Sequence, residues 1–164
     1  MDIFQAITFL ENQISNPSAG LPDEVFYFIS RLTPLINIDL LIKDEIGRTL
    51  LAWRNDTYCG EGWHIPGGII RFKETFEERI RKVAESELGT DVLFEPEPIA
   101  LNQLIHKERD TRGHCISLLY RCRLSSSYEP LNIGRTPGDR GFLQWHDSCP
   151  DNLIKYHAIY RSYL

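Results

Sequence analysis

Two glutamates thirteen positions apart, Glu74 and Glu87, are framed by two glycines, Gly68 and Gly89. That arrangement suits phosphate chemistry. A glycine lets its backbone approach a ligand closely and leaves the carbonyl free to face a metal. A loop that runs into a helix offers unpaired N–H groups and a favourable dipole to a phosphate. A carboxylate farther along the helix can hold Mg²⁺, which takes oxygen ligands and completes its octahedron with waters and substrate phosphates. The plainer reading is a solvated helix face carrying two surface charges. The glycines that flank the pair make a ligand site the alternative to that reading.

Other residues could complete such a site. Asp39 lies inside an apolar run, where an unpaired carboxylate is costly, so it serves either a substrate site or a structural pair with a cation such as Arg54. His64, His114 and His146 show no partner spacing for metal ligation and read as structural. Glu77, Glu78 and Glu85 read as surface charges, although Glu78 could reach a metal through water. Trp63 could stack on a base, but core packing is its more economical role.

These residues need elements to hold them. Phe76, Ile80, Val83, Ala84 and Leu88 make one apolar stripe, which predicts a helix over 74–88 stopped by Gly89. Strands are expected at 35–42, 49–53, 63–70 (interrupted by Pro66-Gly67-Gly68), 91–94, 98–106, 114–124 and 142–145, with a loop over 125–140. Residues 2–15 have near-helical apolar spacing, and Asp23 is a plausible N-cap for a second short helix after the Asn16–Pro22 break. The aromatic-rich segment 150–164 also reads as helical. Strands around one long helix give an α/β (α+β) sandwich, a mixed sheet packed around a central helix with extra N-terminal and C-terminal helices. The expected organisation is one domain over 1–164: a helical extension at 1–33, a core at 34–147 and a C-terminal helix at 148–164.

Composition narrows the function. A length of 164 residues supports one hydrophobic core and is short for two. The net charge of -5, with Lys and Arg scattered, argues against a nucleic-acid or membrane surface, which needs a concentrated positive field. A phosphorylated small molecule then needs a local cation. Met1-Asp2-Ile3-Phe4 lacks the basic start of a signal peptide, and no apolar run approaches the ~20 residues that span a bilayer. Cys59, Cys115, Cys122 and Cys149 show no zinc spacing. Cys115 and Cys122, seven apart in one strand, point to opposite faces, so free thiols in a reducing cytoplasm are expected.

The stretch from Gly68 through Glu74 and Lys82-Val83-Ala84-Glu85-Ser86-Glu87-Leu88-Gly89 resembles the box of the Nudix hydrolase family, G-x5-E-x7-R-E-U-x-E-E-x-G-U with U apolar. Gly68, Glu74, Glu87 and Gly89 match in register. Lys82 stands at the arginine position, Ala84 at the apolar one and Thr90 at the last. Trp63-His64-Ile65-Pro66-Gly67-Gly68 is similar to the family's approach to the box, and the likeness extends over 35–147. Of the glutamates expected at 83, 86 and 87, this chain has only Glu87, beside Val83 and Ser86. Glu85 does not replace Val83, since at about 100° per residue it points about 200° away.

The same thinning is found in the GDP-mannose mannosyl hydrolases, a Nudix subgroup. The resemblance implies inverting attack at the sugar's anomeric carbon, with one Mg²⁺ (Mn²⁺ as the alternative ion) stabilising the departing diphosphate. It places Asp39, Arg54 and His106 in the catalytic and substrate-binding set beside Gly67 and Gly68, with Gly68 and Glu87 at the metal. Residues 156–163 are also similar. The chain departs from the subgroup at Ile69, where an arginine is expected. It also has no histidine in 135–141, where the base is expected, leaving Glu129 or Asp139 as substitutes. The implied substrate is a small-molecule nucleoside diphosphate sugar, and the N-terminal helices could make a homodimer. Attack on phosphorus in another nucleoside diphosphate derivative, and a non-catalytic nucleotide-sugar binding module, are the alternatives.

Overall fold

The computed structural model describes residues 1–125 and 127–164. At its centre, β1 (Leu35–Ile42) runs parallel to β7 (His114–Arg123) through eight paired positions, Leu35 opposite Cys115 to Ile42 opposite Cys122. Antiparallel partners flank this pair: β4 (Gly67–Ile69) beside β1, and β5 (Leu93–Phe94) and β6 (Ala100–Ile105) beside β7. A second, antiparallel sheet joins β3 (Gly60–His64), β2 (Thr49–Asp56) and β8 (Leu143–His146) in that order. The sheet is therefore mixed, as the strand pattern implied.

Alternation along β1 divides the core. Ile38, Leu40 and Ile42 join Leu118, Tyr120 and Cys122 of β7 under the central helix, where Ile80, Val83, Ala84 and Leu88 are buried. Leu41 and Leu119 point the other way, into a second cluster with Leu51, Trp63, Ile65, Leu153 and Tyr160. Each fully buried Leu or Ile contributes roughly 1.5–3 kcal/mol, so the central helix is held mainly by this stripe. Trp63 is core, edge-on to Trp53 and His146, which settles its role as packing.

The predicted 74–88 helix is divided. Its α-helical part, α3, is Phe76–Val83, capped by Thr75, and Ala84–Leu88 continues as a π-helix ending at left-handed Gly89. The N-terminal helices are α1 (Ile3–Asn12) and α2 (Asp23–Ser30). Asp2 caps α1 with a capping box, whereas Pro22 precedes α2 and Asp23 falls inside its first turn. No residue of α1 is buried, and Ile3, Phe4, Ile7 and Phe9 are exposed. The C-terminal segment is a 3₁₀ helix, Lys155–Tyr163. Among the described residues no helix is long and apolar enough to cross a membrane. All four cysteines are unpaired.

A close backbone approach positions the C-terminal segment. A β-carbon on Gly62 would sit 2.3 Å from the Asn152 carbonyl oxygen, so only glycine lets this segment lie against β3. There the Trp63 amide donates to Asn152 O at 3.0 Å and the Ile154 amide to Trp63 O at 2.9 Å. This docking delivers His157 and Tyr160 over β1 and β3.

Candidate active site

The N-terminal end of the central helix is built for anchoring. Thr75 and Glu78 form a reciprocal capping box, which commits Glu78 to the helix end. Glu74, its side chain only 3% exposed, receives Arg79 at 2.6 Å and Lys82 at 2.9 Å. The Arg71 amide donates to it at 2.9 Å. Burial pushes the Glu74 pKa up, but the Arg71 amide, Lys82 and Arg79 outweigh it and hold the carboxyl at about 2. Glu74 is thus a structural anion tying the glycine loop to α3. These ion pairs, and not solvent, surround its carboxylate.

The other end is different. Of the three helical positions where the Nudix box carries acids, Val83 is 2% exposed and its Cγ2 would lie 2.9 Å from a β-carbon on Gly68. Ser86 donates its hydroxyl back to Val83 O at 3.3 Å. Glu87 alone is directed at the double glycine, accepting from the Gly67 amide at 3.2 Å. It sits in the π-helical turn, whose wider winding rotates it from the position an α-helical wheel assigns. Burial raises its pKa, the Gly67 amide opposes that, Asp39 adds to the rise, and Arg54 and Arg140 pull it down, leaving it at about 7.

Gly67 is also the cross-strand partner of Asp39, and a β-carbon there would meet Asp39 Oδ1 at 2.2 Å. Asp39 itself is 2% exposed. It accepts from Ser117 Oγ at 2.5 Å, Tyr160 Oη at 2.6 Å and Asn37 Nδ2 at 2.8 Å. Burial raises its pKa in spite of those three donors. So Asp39 stands behind the glycine wall with its oxygens already bonded, in a positioning place. The structural pair with Arg54 does not form, because Arg54 Nε is 2.5 Å from Asp56 Oδ2. The remaining guanidinium charge of Arg54 still acts on Glu87, His64 and His157.

His64 and His157 are the residues that sequence reasoning missed here. His64 pairs with Ala52 across β2–β3 and so shares a sheet face with Arg54. Its ring centre lies 5.8 Å from that of His157. Burial, the neighbouring His157 and Arg54 depress the His64 pKa to about 3; burial and Arg54 do the same to His157. Both rings are neutral at physiological pH. Arg140 is the third residue missed, a cation acting on Glu87 from the 135–141 loop. His157 and Arg140 meet the site only through long-range docking, and His64, although close in sequence to Gly67, gains its imidazole partner only when His157 arrives.

Other expected members lie elsewhere. His106 packs edge-on to Tyr156 at 4.2 Å, and the charges acting on it are Arg109, Glu108 and Lys155, none of them from the Asp39–Glu87 group. The structure therefore does not bring His106 to the Asp39–Glu87 group: the loop after β6 carries it to a separate aromatic contact. Asp139 accepts from the Thr136 amide at 2.7 Å and hydroxyl at 2.8 Å, closing its own turn. Glu129 lines a cavity with Lys43, Arg48 and Trp145 at the opposite end of β1. Neither is hydrogen-bonded to the Asp39–Glu87 group.

Among the described residues no three of His, Cys, Asp and Glu converge as a metal cage. What is present is one incompletely bonded carboxylate, Glu87, held beside a second buried acid at a glycine corner with no room for side chains. That donor set fits a single hard cation carrying most of its shell as water and substrate oxygen, and does not fit a two-metal centre.

No model of a known protein family matches the sequence. The chain is similar to the MutT Nudix hydrolase of Burkholderia pseudomallei, with a TM-score of 0.62 and 21% identity over 80% of this chain and 98% of that one. It is similar also to a Nudix-family hydrolase of Clostridium perfringens, with a TM-score of 0.56 and 16% identity over 78% and 94% of the two chains. The fold is that of the Nudix hydrolases. In sequence it is 36% identical over 84 residues to the low-salt glycan biosynthesis protein Agl8 of Haloferax volcanii, covering 51% of this chain and 53% of that protein. The match thus spans about half the length of that curated relative.

Proposed function

We propose that this chain is a Mg²⁺-dependent hydrolase of a nucleoside diphosphate sugar, of the GDP-mannose type, releasing the sugar and the nucleoside diphosphate. The observation that carries the reading is the solitary Glu87 at the double glycine, with Val83 in the core and Ser86 bonded to its own helix. Activating water for attack on phosphorus is the work of sites with several carboxylates and metals, whereas assisting departure of a diphosphate needs only one cation. Similarity over 84 residues to a glycan biosynthesis protein supports a glycosyl substrate.

Glu87 and the Gly68 carbonyl are the residues that would hold Mg²⁺, with Mn²⁺ the alternative. The bound ion supplies Lewis-acid stabilisation of the departing diphosphate. Arg54 and Arg140 would add fixed positive charge beside it, preorganised by the Asp56 ion pair in the case of Arg54. Asp39 keeps the glycine corner and Tyr160 in register. The test is hydrolysis of GDP-mannose with Mg²⁺ in ¹⁸O-labelled water. Label in mannose is expected; label in phosphate identifies attack on phosphorus. No Mg²⁺-dependent turnover across a panel of sugar nucleotides and dinucleotides would leave a binding module.

A further inference from the structure

The backbone of Ile65 contacts two imidazoles, its carbonyl one and its amide the other. Its carbonyl oxygen lies 2.8 Å from His64 Nδ1, and a carbonyl can only accept, so His64 Nδ1 carries the proton. Its amide donates to His157 Nδ1 at 3.0 Å, and an amide can only donate, so His157 Nδ1 is the bare nitrogen. In the neutral rings the remaining nitrogens are then complementary: His64 Nε2 is a lone-pair acceptor and His157 Nε2–H is a donor. Neither Nε2 has a partner among the described residues, and both side chains are half-buried. Ile65 is fully buried in one cluster with Trp63, Leu153 and Tyr160, so the two backbone groups that set the tautomers are held by packing.

We propose that His64 and His157 form a tautomer-locked acceptor–donor pair that recognises a hydroxyl group of the substrate's glycosyl moiety. A hydroxyl is the group that donates and accepts through one oxygen. One such oxygen at ordinary hydrogen-bond length from two nitrogens holds them roughly 4.5–5.5 Å apart, a separation open to nitrogens on two steeply inclined rings whose centres lie 5.8 Å apart. The pair adjoins the diphosphate end of the site: Arg54 shares the sheet face of His64, and His157 stacks edge-on at 5.3 Å with Tyr160, which bonds Asp39. Low proton affinity in both rings supports recognition over proton transfer, since a base is most effective with a pKa near the working pH. The inference rests on the sugar-nucleotide reading above and assigns that substrate its second contact surface.

Imidazole ¹⁵N NMR on the full chain reads the tautomers directly. The expected result is His64 protonated at Nδ1 and His157 at Nε2, unchanged from pH 8 to pH 5. Saturating GDP-mannose with Mg²⁺ is expected to shift both Nε2 resonances, while GDP with Mg²⁺ shifts the Gly67 amide but neither ring. His157→Asn keeps an oxygen to accept from Ile65 and loses the outward donor. It should weaken GDP-mannose binding about tenfold and leave GDP binding unchanged. Matching tautomers in the two rings, or ring shifts produced equally by GDP, would overturn the pair. If GDP-mannose moves the Gly67 amide and neither ring, the pair is refuted while the sugar-nucleotide reading stands. If neither ligand moves any of these signals, both fall.

Discussion

Two motif glutamates stand at the two ends of the central helix, Glu74 just before its cap and Glu87 in its last turn, and they have opposite electrostatic fates. At its start, Glu74 is bonded to Arg79, Lys82 and a backbone amide, and its pKa falls to about 2. At its end, Glu87 has a single long amide contact and a neighbouring acid, and its pKa rises to about 7. Residue type is identical and burial is substantial in both, so the difference lies in partners. An acid surrounded by its own cations has nothing left to offer a ligand. One left buried and under-bonded gains most when a foreign cation arrives. The comparison separates scaffold from site more sharply than motif spacing does.

The largest expected effect is at the under-bonded end. Glu87→Gln should abolish Mg²⁺-dependent turnover yet make the apo protein more stable at pH 8. The sign follows from linkage. A carboxyl whose folded pKa is raised supports folding fully below its unfolded value near 4.5, and that support is lost as pH rises through about 7. At pH 8 the wild type therefore holds an unfavourable buried anion worth about 2 kcal/mol, allowing for partial solvent contact. Thermal melts with and without Mg²⁺ check this: the ion should raise the wild-type midpoint and leave the variant unmoved. A variant that melts lower at pH 8 would contradict the account.

Glu74→Gln should do the reverse. Removing one member of a buried ion pair leaves Arg79, itself 8% exposed, without its counter-charge. The expected loss is about 2 kcal/mol at pH 7, measured by urea unfolding. Because the folded pKa is depressed, the difference from wild type should be intact above about pH 4.5 and shrink as pH falls toward about 2.

How much of this was legible follows the range of the contacts. The helix stripe from Phe76 to Leu88, the strands and the glycine stops are local patterns, and a mixed sheet around a central helix could be read from them. The placing of Glu87 near the double glycine was legible from the resemblance of the 68–89 stretch to the Nudix box. The loss of α-helical register at Ala84–Leu88 was not, since nothing in AESEL breaks a helix. The role of Glu74 was obscured because Arg79 looks like an ordinary surface cation until the fold turns it inward, and Lys82 remains one while reaching in to the same carboxylate. His64 and His157 were hidden for a different reason. Their common partner lies 92 positions from His157, and the contact exists only because Gly62 admits the C-terminal segment to β3. Asp39 was recognised as costly in its apolar run, but its real partners, Ser117 and Tyr160, are 78 and 121 positions away.

The two histidines give a gentler test of the same contrast. Depressed folded pKa values near 3 mean that their support is complete above the unfolded value near 6.5 and is lost as pH falls toward 3. Each takes up one proton only on unfolding, about 1.4 kcal/mol per pH unit. Between pH 6.5 and 4.5 Glu87 works against them, binding a proton in the folded state. These three groups together give a slope of about 1.4 kcal/mol per pH unit in the wild type and about 2.8 in Glu87→Gln. Equilibrium unfolding at several pH values measures both. Equal slopes would mean that Glu87 does not titrate in this window.

The smallest expected effect is at Lys82. Its side chain is 55% exposed, while the Glu74 it meets is 3% exposed and already paired with Arg79. A cation reaching in from solvent retains most of its hydration and loses side-chain freedom on pairing, so it contributes little. Lys82→Met should therefore reduce stability by less than about 1 kcal/mol, and Lys82→Arg should change it hardly at all. The contrast with Glu74→Gln is what the measurement sharpens, because both substitutions break the same 2.9 Å contact. If Lys82→Met were as damaging as Glu74→Gln, the anchoring of the glycine loop would run through the exposed cation. The small loss expected instead assigns it to the buried Arg79, the partner that Glu74 alone can neutralise.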